Sequence, residues 1–310
     1  MTANVVEQTA APAGTQNQDV LRELYADWAR IMETTPGLTM RLFRSIFDEW
    51  HQPTVEPEGV TYREDTVGGV PGIWCLPQGA DSTKVLLYTH GGGFAVGSAF
   101  SHRKLAAHVA KALGSVSFVL DYRRAPEFTH PAQVDDGVAA FDALVASGIA
   151  PENITTIGDS AGGNLAIAIA LAVKEQGKEA PGQVIAFSPW LDMENKGETL
   201  VTNNDTDALI TPELLEGMIA GVLGGTIDPR TPLANPLYAD FSGFPRLYIT
   251  AGSVESLLDN ATRLEDRVRT AGVDVTLSIG EGQQHVYPFL AGRSALVAQE
   301  FEKLAAWYTK

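Results

Sequence analysis

Six short runs rich in apolar and β-branched residues recur along the chain, at 85–88, 116–120, 153–157, 183–188, 246–251 and 273–279. Between and after them lie segments of helical periodicity, at 101–113, 131–147, 161–176, 259–271 and 291–308. Runs this short are strand-length, and a strand apolar on both sides is covered on both faces. Strand alternating with helix predicts an α/β fold, a mostly parallel central sheet flanked by helices. With 45% apolar residues over 310 positions, the chain has material for a large core.

Two segments fall outside this alternation. Residues 1–17, rich in Ala, Thr, Gln and Pro, read as a mobile tail. In 18–50, Leu21, Leu24, Trp28 and Ile31 recur at helical spacing, as do Phe43, Phe47 and Trp50 after Pro36-Gly37. The main domain then runs over 51–310, interrupted at about 195–240 by a polar loop and the helical pattern Leu214, Met218, Val222. A long connection of this kind is expected to be functional, so 18–50 and 195–240 are expected to form a helical cap. The alternative is plain peripheral packing.

Charge and cysteine usage narrow the partners. The formal net charge is −16, which repels phosphate backbones and argues against nucleic acid. Cys75 is the single cysteine, so no internal disulfide is possible, which fits a reducing, cytoplasmic setting. No basic stretch followed by an apolar run marks a secretory signal at the N-terminus. The apolar stretch from Leu165 to Val173 is too short to span a bilayer.

The chemistry centres on Gly158-Asp159-Ser160-Ala161-Gly162. A G-x-S-x-G pattern carries weight only between a strand and a helix, where the turn projects the serine and its neighbours must be small. Here Ile154–Ile157 reads as a buried strand, and Leu165 to Val173 as a buried helix ending before Gly177. Ser160 is therefore a candidate nucleophile, beside a helix N-terminus that favours negative charge. His90-Gly91-Gly92-Gly93-Phe94 follows the strand at 85–88, and glycines there let backbone N–H groups approach a substrate. The N–H groups of Gly92, Gly93 and Ala161 are the candidate oxyanion hole. Neither glycine string has phosphate-loop spacing.

Serine needs a base and the base an acid. Of six histidines, His285 lies between the last strand and the last helix, whence it can reach Ser160. Two acids follow the strand 246–251. Ser256 and Asp259 fit a capping box that opens a helix, which gives Asp259 a structural task and leaves Glu255 as the preferred catalytic acid. His90-Gly-Gly-Gly, Ser160, Glu255 and His285 each follow the carboxyl end of a strand, the edge of a parallel sheet where ligands bind.

Together HGGGF (90–94), DYRRAPE (121–127), GDSAGG (158–163), SPWLDM (188–193) and the order Glu255, His285 resemble the hormone-sensitive-lipase family of bacterial esterases, in its Gly-Asp-Ser-Ala-Gly branch. The resemblance covers about residues 60–310. It implies an α/β-hydrolase core with a helical cap, cofactor-independent esterase activity on a small ester, and homodimers formed through the sheet edge at strand 273–279. The family usually carries Asp in the acid loop; in register here stands Glu255, preceded by Val254. PEFTHPA departs from the common PEHPFPA, leaving the role of His130 open. The chain also looks similar to lactone hydrolases of this branch, those acting on monoterpene lactones and on macrolactones such as zearalenone.

The expected reaction is two-step acyl transfer to Ser160, with no metal. Met32, Met40, Met193, Leu214 and Met218 are candidate lining of an apolar acyl or ring pocket; as methionine-rich positions they equally suit core packing. Two rivals share the fold: a non-catalytic ligand receptor, in which the base would be lost, and an acyltransferase, in which the lid would exclude water.

Overall fold

The computed structural model describes residues 15–310, so most of the expected tail, residues 1–14, lies outside the described residues. The elements in chain order are α1 (Thr15–Thr34), α2 (Met40–Phe47), β1 (Val60–Val67), β2 (Val70–Pro77), β3 (Asp81–Thr89), α3 (Ala99–Leu113), β4 (Ser115–Leu120) and α4 (Ala132–Ala146). They continue as β5 (Ile154–Asp159), α5 (Ala161–Glu175), β6 (Gln183–Phe187), α6 (Thr199–Thr202), α7 (Pro212–Leu223), β7 (Arg246–Gly252), α8 (Leu258–Thr270), β8 (Val275–Gly280) and α9 (Ala295–Tyr308). Helix α1 takes in residues 15–17, which the sequence reading assigned to the tail.

One eight-stranded sheet runs in the order β1-β2-β4-β3-β5-β6-β7-β8. From β4 to β8 every pairing is parallel. This mostly parallel sheet with flanking helices is the α/β-hydrolase fold. Its interior follows the period of two along each strand. In β6, Ile185 and Phe187 join one apolar cluster while Val184 and Ala186 join another. In β7, Tyr248 packs with the first and Leu247 and Ile249 with the second. The two clusters therefore cover opposite faces. Helix α5 is buried without a break from Ala161 to Val173, as a helix apolar on all sides must be.

The hairpin β1–β2 was not anticipated as a unit. It pairs antiparallel to β4 through β2, with the turn at Gly68-Gly69. Strand β1 is largely exposed and carries Arg63-Glu64-Asp65, so it lacks the apolar signature of the others. The last helix begins at Ala295 rather than 291, because a 3₁₀ turn at Tyr287–Leu290 and Gly292 precede it. Strand β8 is one of the two edge strands, with Ile279 exposed, the edge at which the resemblance puts pairing of two copies.

The N-terminal helices pack directly on the main cluster, through Leu21, Tyr25, Trp28, Ile46 and Phe47. Trp50, just past α2, stacks on Phe289 at 5.6 Å and meets Trp28 edge-on at 5.4 Å. This aromatic contact fixes α1 against the turn that follows His285. No described helix is long and apolar enough to cross a membrane.

Candidate active site

Strand β5 ends at Asp159 and helix α5 begins at Ala161, which leaves Ser160 alone on the turn. Its φ of 53° and ψ of −122° are rare for a residue with a side chain, a strain of roughly 1–3 kcal/mol that the surroundings must hold. They do so through the main chain. Ser160 N–H donates to Phe187 O at 2.8 Å, and Ser160 O accepts from Asn164 and Trp190 N–H at 3.1 and 3.0 Å. Gly162 has no room for a side chain, since a Cβ there would overlap the Thr89 carbonyl oxygen.

The glycine loop lies beside this turn. Gly92 has φ of 111° and Gly93 has φ of 58°, and neither N–H has an acceptor among the described residues. Ala161 opens α5, where a first-turn N–H has no intrahelical acceptor. Thus three N–H groups remain free to meet an anion. Beneath the loop is a buried polar group that the sequence reading passed over. Asp159 accepts from Tyr88 OH at 2.7 Å and lies 3.3 Å from His102 Nε2. Gly91 N–H donates to the same His102 nitrogen at 3.2 Å. Burial first, then the nearby His102, pushes His90 below its ordinary pKa, so it stays neutral.

Glu255 and His285 come together as expected, both buried, with Glu255 Oε2 3.7 Å from His285 Nδ1. That oxygen also accepts from Ser188 Oγ at 2.7 Å and Gly252 N–H at 3.0 Å. Burial opposes charging His285, but the Glu255 carboxylate, with Asp207 and Asp159 farther off, outweighs it and raises the imidazole above its ordinary pKa. The loops carrying Glu255 and His285 are braced by the 195–240 insertion. Asp207 accepts from Ser256 N–H at 2.7 Å, and Asn203 Nδ2 donates to Glu255 O at 2.9 Å. Gln284 donates to Thr206 O at 2.8 Å and accepts from Ala208 N–H at 2.9 Å.

The capping box at Ser256 and Asp259 does not form. Helix α8 has Leu257 at its N-cap without a side-chain bond. The Ser256 hydroxyl donates to Ile210 O instead, at 3.2 Å. Asp259 still has a structural partner, Arg263 at 3.1 Å.

Of the five expected pocket residues, three converge. Met40, Leu214 and Met218 line an apolar cavity of about 320 Å³ between α2 and α7, with Phe43, Ala95 and Pro126. Met218 lies directly over Gly93, where a Cβ would collide with its sulfur. Met193 lines a separate small cavity with Phe94, His130 and Asn164. Met32 packs half-buried against the main core, away from both, because its turn of α1 faces the cluster.

The relationships agree with this fold. Residues 86–289 match a family profile described as alpha/beta hydrolase fold. An acetyl-hydrolase of Streptomyces hygroscopicus is 39% identical over 222 residues, 72% of this chain and 74% of the relative. An esterase of Acinetobacter venetianus is 33% identical over 246 residues, 79% of this chain and 81% of the relative. A crystal structure of an esterase from the bacterial hormone-sensitive lipase family superposes with a TM-score of 0.90 at 35% identity, covering 97% of this chain and 98% of that one. The chain belongs to this family of α/β-hydrolase-fold enzymes.

Proposed function

We propose that this carboxylic ester hydrolase works by acyl transfer through Ser160, with His285 as base and Glu255 as the acid that orients it. The observation carrying the proposal is the buried Glu255–His285 pair at the same carboxyl edge as Ser160 and the free N–H groups of the glycine loop. Ser160 Oγ attacks the ester carbonyl as His285 takes its proton. Charge on the carbonyl oxygen is met by N–H groups of Gly92, Gly93 and Ala161. Collapse of the tetrahedral species expels the alcohol, protonated by His285. Water, deprotonated by His285, then attacks the acyl-serine, and the acid leaves as His285 returns the proton to Ser160 Oγ.

The apolar cavity under Met218 suits the acyl part of a small ester. The acetyl-hydrolase and esterase relatives support the same substrate class. The test is a panel of p-nitrophenyl esters from acetate to octanoate, with δ- and ε-lactones alongside, for wild type and Ser160→Ala. Release of p-nitrophenol by wild type and its loss in the folded variant is the expected result. Wild-type rates in Ser160→Ala would overturn the mechanism.

A further inference from the structure

We propose that Tyr25 and Ser188 form a two-point clamp on the peptide unit carrying His285, and that this clamp positions the base against Glu255. The proposal rests on the roles assigned to His285 and Glu255 above, and adds what holds them.

The imidazole has no hydrogen bond of its own, since neither ring nitrogen finds a partner within hydrogen-bond distance among the described residues. At 3.7 Å the carboxylate is an ion-pair partner, beyond hydrogen-bond range. The ring is therefore placed by its main chain. There the bonds are complete. His285 C=O accepts from Tyr25 OH at 2.9 Å, and Val286 N–H donates to Ser188 Oγ at 3.0 Å. These are the two ends of one planar peptide, so it cannot turn without breaking one of them.

Both clamping groups are themselves fixed. The Ser188 hydroxyl donates to Glu255 Oε2 at 2.7 Å, so one oxygen links the acid to the peptide of the base. Donor and acceptor capacities are both in use. Tyr25 OH accepts from Trp50 Nε1 at 3.2 Å, and Tyr25, Ser188, Glu255 and His285 are all buried. Ser188 and Val286 have φ of 45° and 50°, conformations that β-branched valine in particular avoids without restraint. Tyr25 lies on α1 and Ser188 follows β6, so the N-terminal helix reaches the base from one side and the sheet from the other. Tyr25 and Ser188 are positioning residues; they act through His285.

The test measures kcat and KM for p-nitrophenyl butyrate from pH 5 to 9 in wild type, Tyr25→Phe, Ser188→Ala, Ser188→Gly and His285→Ala, with thermal melting as a check on folding. Glycine relieves the positive φ at 188 but removes the hydroxyl, so it separates backbone strain from the bond. The clamp predicts a ~10–100-fold fall in kcat for Tyr25→Phe and for Ser188→Gly, with KM within about twofold. It also predicts a shift of the acid limb to lower pH as imidazole and carboxylate separate. Combining the two substitutions should lose less than the product of the single losses, because both release one peptide. If His285→Ala is inactive while Tyr25→Phe and Ser188→Gly keep wild-type kcat and pH limb, the clamp is wrong. If His285→Ala is as active as wild type, the base assignment fails, and the clamp with it.

Discussion

Replacing Glu255 by Gln removes one charge and almost nothing else. The amide oxygen can still accept from Ser188 Oγ and Gly252 N–H, the two bonds that hold Oε2. What disappears is the attraction between carboxylate and imidazolium. At the observed 3.7 Å, two unit charges attract by about 4.5 kcal/mol at an effective dielectric of about 20. In the proposed mechanism imidazolium forms as Ser160 attacks, so this stabilisation belongs to the transition state. At about 1.4 kcal/mol per tenfold in rate, the ceiling is ~10³-fold, and a loss of ~10²–10³-fold in kcat is expected. The pH profile must move as well. His285 acts as base only when neutral, so activity falls as pH drops through its pKa. Glu255 helps hold that pKa above the ordinary value; removing the charge lowers it and moves the acid limb to lower pH. Asp259→Asn is the comparison. It breaks an i,i+4 pair with Arg263, which keeps Asp192 at 2.8 Å, and such pairs contribute roughly 0.3–0.5 kcal/mol. Its kcat should stay within a few-fold of wild type. The assay is initial rate on p-nitrophenyl butyrate across pH 5 to 9. A larger kcat loss in Asp259→Asn than in Glu255→Gln would reverse the assignment of the acid.

Met218→Ala should open the space between Gly93 and the apolar cavity. With two further methylenes buried at about 0.8 kcal/mol each, the kcat/KM ratio of p-nitrophenyl hexanoate to butyrate should rise by ~10-fold, and an unchanged ratio would remove Met218 from the acyl pocket. Gly162→Ala should destabilise the turn by roughly 1–3 kcal/mol, since a Cβ there meets the Thr89 carbonyl; a melting temperature equal to wild type would show that the crowding argument is wrong.

The legible parts of this molecule were those governed by local pattern. Strands β4, β5, β6 and β7 are short and buried because helices cover both faces of the sheet there, and that shows in the sequence as short runs with few charges. Ser160 was legible because strand, small-residue turn and helix are contiguous. Chain order after successive strands singled out His285 and left two acids, Glu255 and Asp259, of which the structure brings Glu255 to His285. The hairpin β1–β2 escaped because a largely exposed strand, carrying Arg63-Glu64-Asp65, has no apolar run, and only Gly68-Gly69 marked its turn. The capping box failed for a long-range reason. Ser256 gives its hydroxyl to Ile210 and its N–H to Asp207, partners supplied by the insertion more than forty positions earlier. The same holds for Tyr25 and His285, which meet across 260 residues of sequence. Met193 shares the residue type of Met40 and Met218 but faces another cavity, which composition alone does not distinguish.

The central claim is that Ser160 is the nucleophile. A fluorophosphonate, which phosphonylates an activated serine with loss of fluoride, tests it in one measurement by peptide mass spectrometry. The account predicts one adduct per chain, on the peptide containing Ser160, with esterase activity lost in proportion to labelling. Full labelling at another residue, or full activity with Ser160 modified, would contradict it.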